Sequence, residues 1–451
     1  MNPKSSNFEA NNAYVTQLSK NSETTERQLG VDFARVTAAL LVVYLHSCIP
    51  YVHPNMPGLT WLTYDNSSKL TTLSFWLVEL FIMPLFLIIA GFYARKSLAK
   101  QGPHAFIIAR RKRLLKPFLW GCLLILPLEY YLWIVSWVIE GKIPVESLWK
   151  LKVPRDHRHH LFGTAHLWFL PYTLSYCLVL ATLHYLLGTG PPNITKRLKD
   201  WAKSRIHEEF LRKKNWGSNN PYLLPMYISN TLAVVFFLAT APEVVFGFQH
   251  AFIPVLSKWC YSGTYFAAGA ITASGGYQFS IITPRPLKAL SCGSVASMIA
   301  IAVGTWSIAF ADPLSANLQT NWQTSLILSI LTTIAAWKIS TSLVEILSCL
   351  PTIFSLYRFL RPAVTYLASA SFYVYLLHHP LVALIQINLK IKAPNHSPAL
   401  KVLICFSLAV SLTIGIYYLG SKIQKPHSRC SINVSRREYN RSQLTDKQLT
   451  T

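Results

Sequence analysis

Two residues in the first apolar stretch of the chain carry the clearest chemical signal. Arg35 and His46 stand eleven positions apart, which at about 100° per residue makes three helical turns plus roughly 20°. Their side chains therefore share one helix face, about 16 Å apart along the axis at 1.5 Å per residue. A fixed cation with a titratable imidazole further along suits a long, phosphate-headed donor lying partway through a helical bundle. The guanidinium would hold phosphates and the imidazole would work as a general base. Each residue alone has a plainer explanation: Arg35 as a charge snorkelling to a membrane interface, His46 as a hydrogen-bond partner of a neighbouring helix.

The run Arg110-Arg111-Lys112-Arg113, followed by Lys116 and Pro117, is the second constellation. Arg110 and Arg113, at i and i+3, share a helix face and could clamp a phosphate. The same run also reads as a charge block that stops a membrane helix on the cytoplasmic side, and the two readings hold together. Glu79 enters its apolar run about two turns deep, at a depth that would let it meet and orient His46; a structural pair with Lys or Ser is the alternative. Glu129 and the pair His378-His379 are further ionisable groups inside apolar runs, where such groups mark function by default, and one of the two histidines is expected to face a cavity. The cluster Asp156-His157-Arg158-His159-His160 is a metal or acidic-substrate patch or, as we favour, a solvated loop. Eight cysteines without a Cys-x-x-Cys pair read as small buried hydrophobes, so neither a disulfide framework nor a metal site is expected.

The elements that must position these groups follow from composition. The 451 residues include 42 Lys+Arg against 18 Asp+Glu, a net charge of +24, yet only 13% are charged and 52% are apolar. A nucleic-acid binder gathers its basic residues on the surface of a globule; here they stand between long apolar runs, and a nucleic-acid partner is not expected. A bilayer core needs about 20 mostly apolar residues per helix, and ten runs meet that standard: 33–52, 72–93, 117–139, 166–187, 221–241, 251–273, 287–311, 322–342, 363–389 and 401–421. The chain is predicted to be all-α, a polytopic integral membrane protein of about ten transmembrane helices. No cleavable signal peptide is expected, because a polar segment precedes the first apolar run and no small-residue cleavage site follows it.

Orientation follows from the basic residues. Of the 42, 31 lie on the side of the N-terminus and of the segments 94–116, 188–220, 275–288, 350–362 and the tail, whereas 10 lie on the other side and Lys338 lies within the eighth run. The positive-inside rule puts the richer side, and with it both termini, in the cytoplasm. The expected organisation is a polar N-terminal segment (1–30), a ten-helix membrane domain (31–421) and a basic tail (422–451).

In order along the chain, "VDFARVTAALLVVYLHSCIPY", "LFIMPLFLIIAGFYARKSL", "RRKRLLKPF", "AHLWFLPYTLSYCLVLA" and "SFYVYLLHHPLVALI" resemble the successive signatures of the membrane acyltransferase-3 family, over residues 30–421. The most specific is Arg, ten intervening residues and His, matched by Arg35 and His46; an Arg-x-x-Arg motif is matched by Arg110 and Arg113. The resemblance implies transfer of an acyl group, acetyl or succinyl, from cytoplasmic acyl-CoA to a hydroxyl of a cell-envelope or exported carbohydrate, in a bacterial inner membrane. It implies His46 as catalytic base, and Arg35, Arg110 and Arg113 as donor ligands. Glu79 is expected to act with His46, and His166, Trp168 and His378 to contact substrate. The segment His166–Leu170, "HLWFL", most resembles the glucans biosynthesis protein C branch, associated with succinylation of periplasmic glucans. The family's usual Ser-Gly-Phe/Tyr after the second run reads Ala90-Gly91-Phe92 here, which puts carried-over substrate detail in question. The reading from another class is a proton-coupled transporter of an anionic solute or glycan using the same Arg and His.

Overall fold

A computed structural model describes residues 30–158, 161, 163–189, 223–248, 251–274, 283, 285–309, 320–353 and 357–422. Among these residues there is no strand. In an apolar solvent every backbone N–H and C=O must find its partner within its own segment, and the helix is the single-segment solution.

The first helix, α1, is Gly30–Tyr51. The stretch Lys69–Ile139 is helical over 71 residues, roughly 107 Å if straight and more than three times the hydrocarbon core of a bilayer. It is not straight: Gly102 has φ 74°, a left-handed conformation that glycine adopts without a Cβ penalty. That residue divides the stretch into α2 (69–101) and α3 (103–139). The connection expected over 94–116 is therefore helical on both sides of Gly102, because nothing in the Lys/Arg-rich sequence breaks a helix before the Gly102-Pro103 pair. The remaining long helices are α4 (Phe169–Thr189), α5 (Leu223–Thr240), α6 (Leu256–Ser274), α7 (Pro286–Ala309), α8 (Trp322–Ile353), α9 (Tyr357–Lys392) and α10 (Pro398–Lys422).

Each of the ten apolar runs overlaps one of these helices among the described residues, although 251–255 precedes α6 and 221–222 and 310–311 lie outside the described residues. Seven helical stretches among the described residues are long and apolar enough to cross a membrane, with Lys69–Ile139 counted as one. α5 carries a shorter apolar helix, and α6 falls short because it is rich in Ser, Thr, Tyr and Gly. Those small and polar residues are what let α6 pack closely against α2 and α5. A Cβ built on Gly91 would lie 1.9 Å from the Phe266 carbonyl oxygen, and one on Gly269 would lie 1.9 Å from that of Ile88. The backbones of α2 and α6 are thus in direct contact, the small-residue packing that membrane helices use in place of hydrophobic drive.

Helix ends gather in two groups. At one end, Lys401 of α10 donates to Asp65 at 2.7 Å, Lys390 of α9 donates to Glu140 after α3, and Thr63 donates to the same carboxylate at 2.6 Å. Burial acts to raise the Glu140 carboxyl, but the bonds from Lys142, Lys390 and Thr63 outweigh it and hold the group below its ordinary range. At the other end, Gly30 abuts Ser348, Tyr93 donates to Asp32 at 2.8 Å, Arg95 donates to Ser274 at 2.9 Å, and Tyr366 packs on Tyr417. Each group joins helix ends that the distribution of basic residues predicts to lie on one side. The polar segment and the tail, apart from Gly30 and Lys422, lie outside the described residues, as does most of 188–220.

Candidate active site

One cavity of about 770 Å³ collects the site. Arg35, His46, Glu79, Arg110, Arg113, His166 and Trp168 all line it, and with them Glu129, His379, Lys258, Trp61 and Trp133. Its cationic part is built by α1, α3 and α9. Arg35 donates from Nη2 to the Ala368 carbonyl at 2.6 Å and lies 3.5 Å from Asp32. Arg110 lies over the Phe106 ring, 4.8 Å from its centroid. The Nε atoms of Arg35 and Arg110 are buried without a hydrogen-bond partner, a cost that an incoming anion could offset only if these side chains turn toward it. Two wide π-helical turns of α3, Arg111–Leu115 and Gly121–Ile125, follow Arg110, the first of them directly; such turns shift which side chains face inward and recur at functional sites.

Further in, the histidines are ordered by carbonyl groups. His46 Nδ1 lies 2.9 Å from the Val42 carbonyl oxygen. A carbonyl can only accept, so Nδ1 carries the proton and neutral His46 keeps its lone pair on Nε2. His378 Nδ1 lies 3.0 Å from the Val374 oxygen and 2.7 Å from that of Tyr375, so it too donates. Its Nε2 is then an acceptor, 3.2 Å from His46 Nδ1. Gln386 fixes the backbone beside this pair, donating at 2.9 Å to the His46 carbonyl and accepting from Trp61 Nε1 at 2.8 Å.

Two expectations change. His378, expected to contact substrate, is fully buried behind His46 because its ring is drawn back onto carbonyls of its own helix; its neighbour His379 lines the cavity instead. The carboxylate that faces the imidazoles is Glu129 and not Glu79. Glu129 Oε1 lies 2.9 Å from His166 Nδ1 and 3.2 Å from His379 Nδ1, whereas Glu79 lines the cavity together with Lys258, whose ammonium sits 3.9 Å over Trp168. His379 is sandwiched between Trp133 (5.6 Å, 6°) and His166 (4.7 Å, 13°). The pattern that marked Glu129 was its place inside an apolar run, the same signal that marked Glu79; only the packing of α3 on α9 and on the turn before α4 chooses between them. Ala90, where the family pattern has serine, lines the cavity, so the missing hydroxyl is missing from the site itself. His157 packs on Trp137 at 5.1 Å, away from this cavity, and His159 and His160 lie outside the described residues.

The family model described as an acyltransferase domain, acyltransferase-3, matches residues 28–418. No curated protein and no solved structure matches the chain.

Proposed function

The chain belongs to the acyltransferase-3 family and is a membrane acyltransferase, and from that premise we propose that it moves an acyl group from acyl-CoA to a hydroxyl of a cell-envelope or exported carbohydrate. The observation that carries this reading is the shared cavity: Arg35, Arg110 and Arg113 line the same space as His46. In this reading the CoA phosphates rest on Arg35, Arg110 and Arg113, and the thioester extends toward His46. Nε2 of His46, left with its lone pair by the Val42 carbonyl, takes the proton of the acceptor hydroxyl as the oxygen attacks the thioester carbonyl. The C–S bond breaks, the ester forms and CoA leaves as the thiol, receiving the proton.

The resemblance of the segment His166–Leu170 to the glucans biosynthesis protein C branch favours succinyl as the acyl group and a periplasmic glucan as acceptor, with acetyl the competing group. The mass added to envelope glycans in cells carrying the gene, compared with cells lacking it, names the group. The mechanism is tested by His46→Asn, whose smaller side-chain amide can keep a donor near the Nδ1 position but removes the base. Acyl transfer, followed as release of free CoA thiol, is expected to fall by about 10²–10⁴-fold, the usual worth of a general base, with membrane insertion unchanged. Wild-type turnover in that variant overturns the assignment.

A further inference from the structure

Glu129, His166 and His379 meet in an arrangement that protons alone serve poorly. Their side chains are 1%, 2% and 5% exposed. One oxygen, Glu129 Oε1, faces both ring nitrogens at 2.9 and 3.2 Å, yet neither contact is in line for a hydrogen bond: both Glu129 oxygens and both Nδ1 atoms are buried without a hydrogen-bond partner. His166 Nε2 lies 3.1 Å from the Leu376 carbonyl and so must donate to it. That bond puts the lone pair of neutral His166 on Nδ1, facing a carboxylate oxygen that also offers only lone pairs. Two acceptors turned toward one another need something positive between them.

We propose that these three residues bind a divalent transition-metal ion, with zinc the ion that suits them best. The three candidate ligand atoms lie within 4.8 Å of one another; bonds of about 2.0–2.2 Å around a tetrahedral ion put ligand atoms roughly 3.3 Å apart. Two imidazoles and one carboxylate make a donor set of the kind catalytic zinc sites use, with a further position left open. A metal-bound histidine typically donates its other ring N–H to a carbonyl or carboxylate, as His166 does to Leu376. Trp133, stacked on His379, holds the second imidazole in place. The open position faces the cavity that His46 also lines. An oxygen of the reacting carbonyl or of the acceptor hydroxyl placed there would be polarised by the ion. The metal site stands on its own geometry and does not depend on the donor or acceptor being as proposed above.

The test uses the full chain purified in detergent without chelator. Metal analysis is expected to find about one zinc per chain in the wild type. Glu129→Gln and His166→Gln should each lower that content at least tenfold, while His46→Asn keeps it and loses acyl transfer. Cobalt(II), added to wild-type protein stripped by a chelator, should give a visible d–d spectrum that zinc then abolishes; this measurement needs no variant to fold. A wild type that holds no zinc and gives no cobalt spectrum overturns the site, leaving a carboxylate–histidine cluster that shares protons only. Retention of zinc in both Gln variants overturns the ligand assignment. A zinc-bearing chain that releases no CoA from acyl-CoA leaves the site standing and removes the acyl-CoA reading instead.

Discussion

His46 is useful as a base only while its proton stays on Nδ1. The Val42 carbonyl and the acceptor nitrogen of His378, at 2.9 and 3.2 Å, both hold it there. His378 is therefore a positioning residue, and its removal should act on turnover more than on donor binding. His378→Leu fills the space without an acceptor. Losing one hydrogen bond of about 1.4 kcal/mol corresponds to about a tenfold fall in kcat, with KM for acyl-CoA within twofold of wild type. His378→Gln, which can still accept from His46, should recover most of the loss. A rise in KM with unchanged kcat in His378→Leu would return His378 to the substrate-contact role. Spacing alone showed that Arg35 and His46 share a helix face. It gave no means of telling which of two adjacent histidines turns inward, because that depends on where α9 meets α1 and α3.

At the scale of elements, the helices were legible because apolar runs of the right length have one good structure in lipid. Their boundaries with basic segments were not: 94–116 reads as a connection by charge, yet it is helical up to and beyond Gly102. The packing of α2 on α6 was also hidden, since Gly91 and Gly269 differ in no visible way from other glycines until the two backbones are placed together. Gly91→Ala should force those helices apart. The cost expected for overfilling a tight contact, about 1–3 kcal/mol, should appear as a lower thermal unfolding midpoint of the solubilised protein. Gly415→Ala, where an added Cβ meets nothing within 4 Å, should leave the midpoint where it was. Equal midpoints in the two variants would mean that α2 and α6 do not need their close approach. The consequence for the site is direct, because Ala90, beside Gly91, lines the cavity.

For the molecule as a whole, contacts between helix ends divide the connections into two groups, and the basic residues are unequally shared between them. Residues of the poorer side, among them Lys142, Lys390 and Lys401, are held in ion pairs with Glu140 and Asp65 at one end. The residues Arg95, Lys96, Lys100 and Arg110–Arg113 lie around the Gly102 break at the opposite end. On the positive-inside rule that end is expected to be cytoplasmic, which would put the cavity arginines on the side of a cytoplasmic donor such as the proposed acyl-CoA. In a cysteine-free background, single cysteines at the exposed positions Glu146 and Gln101 test this with a membrane-impermeant maleimide on intact cells. Glu146→Cys should label from outside and Gln101→Cys only after the membrane is opened. The reverse pattern would put Arg35, Arg110 and Arg113 on the wrong face for a cytoplasmic donor, and the order of the proposed transfer would have to be inverted with it.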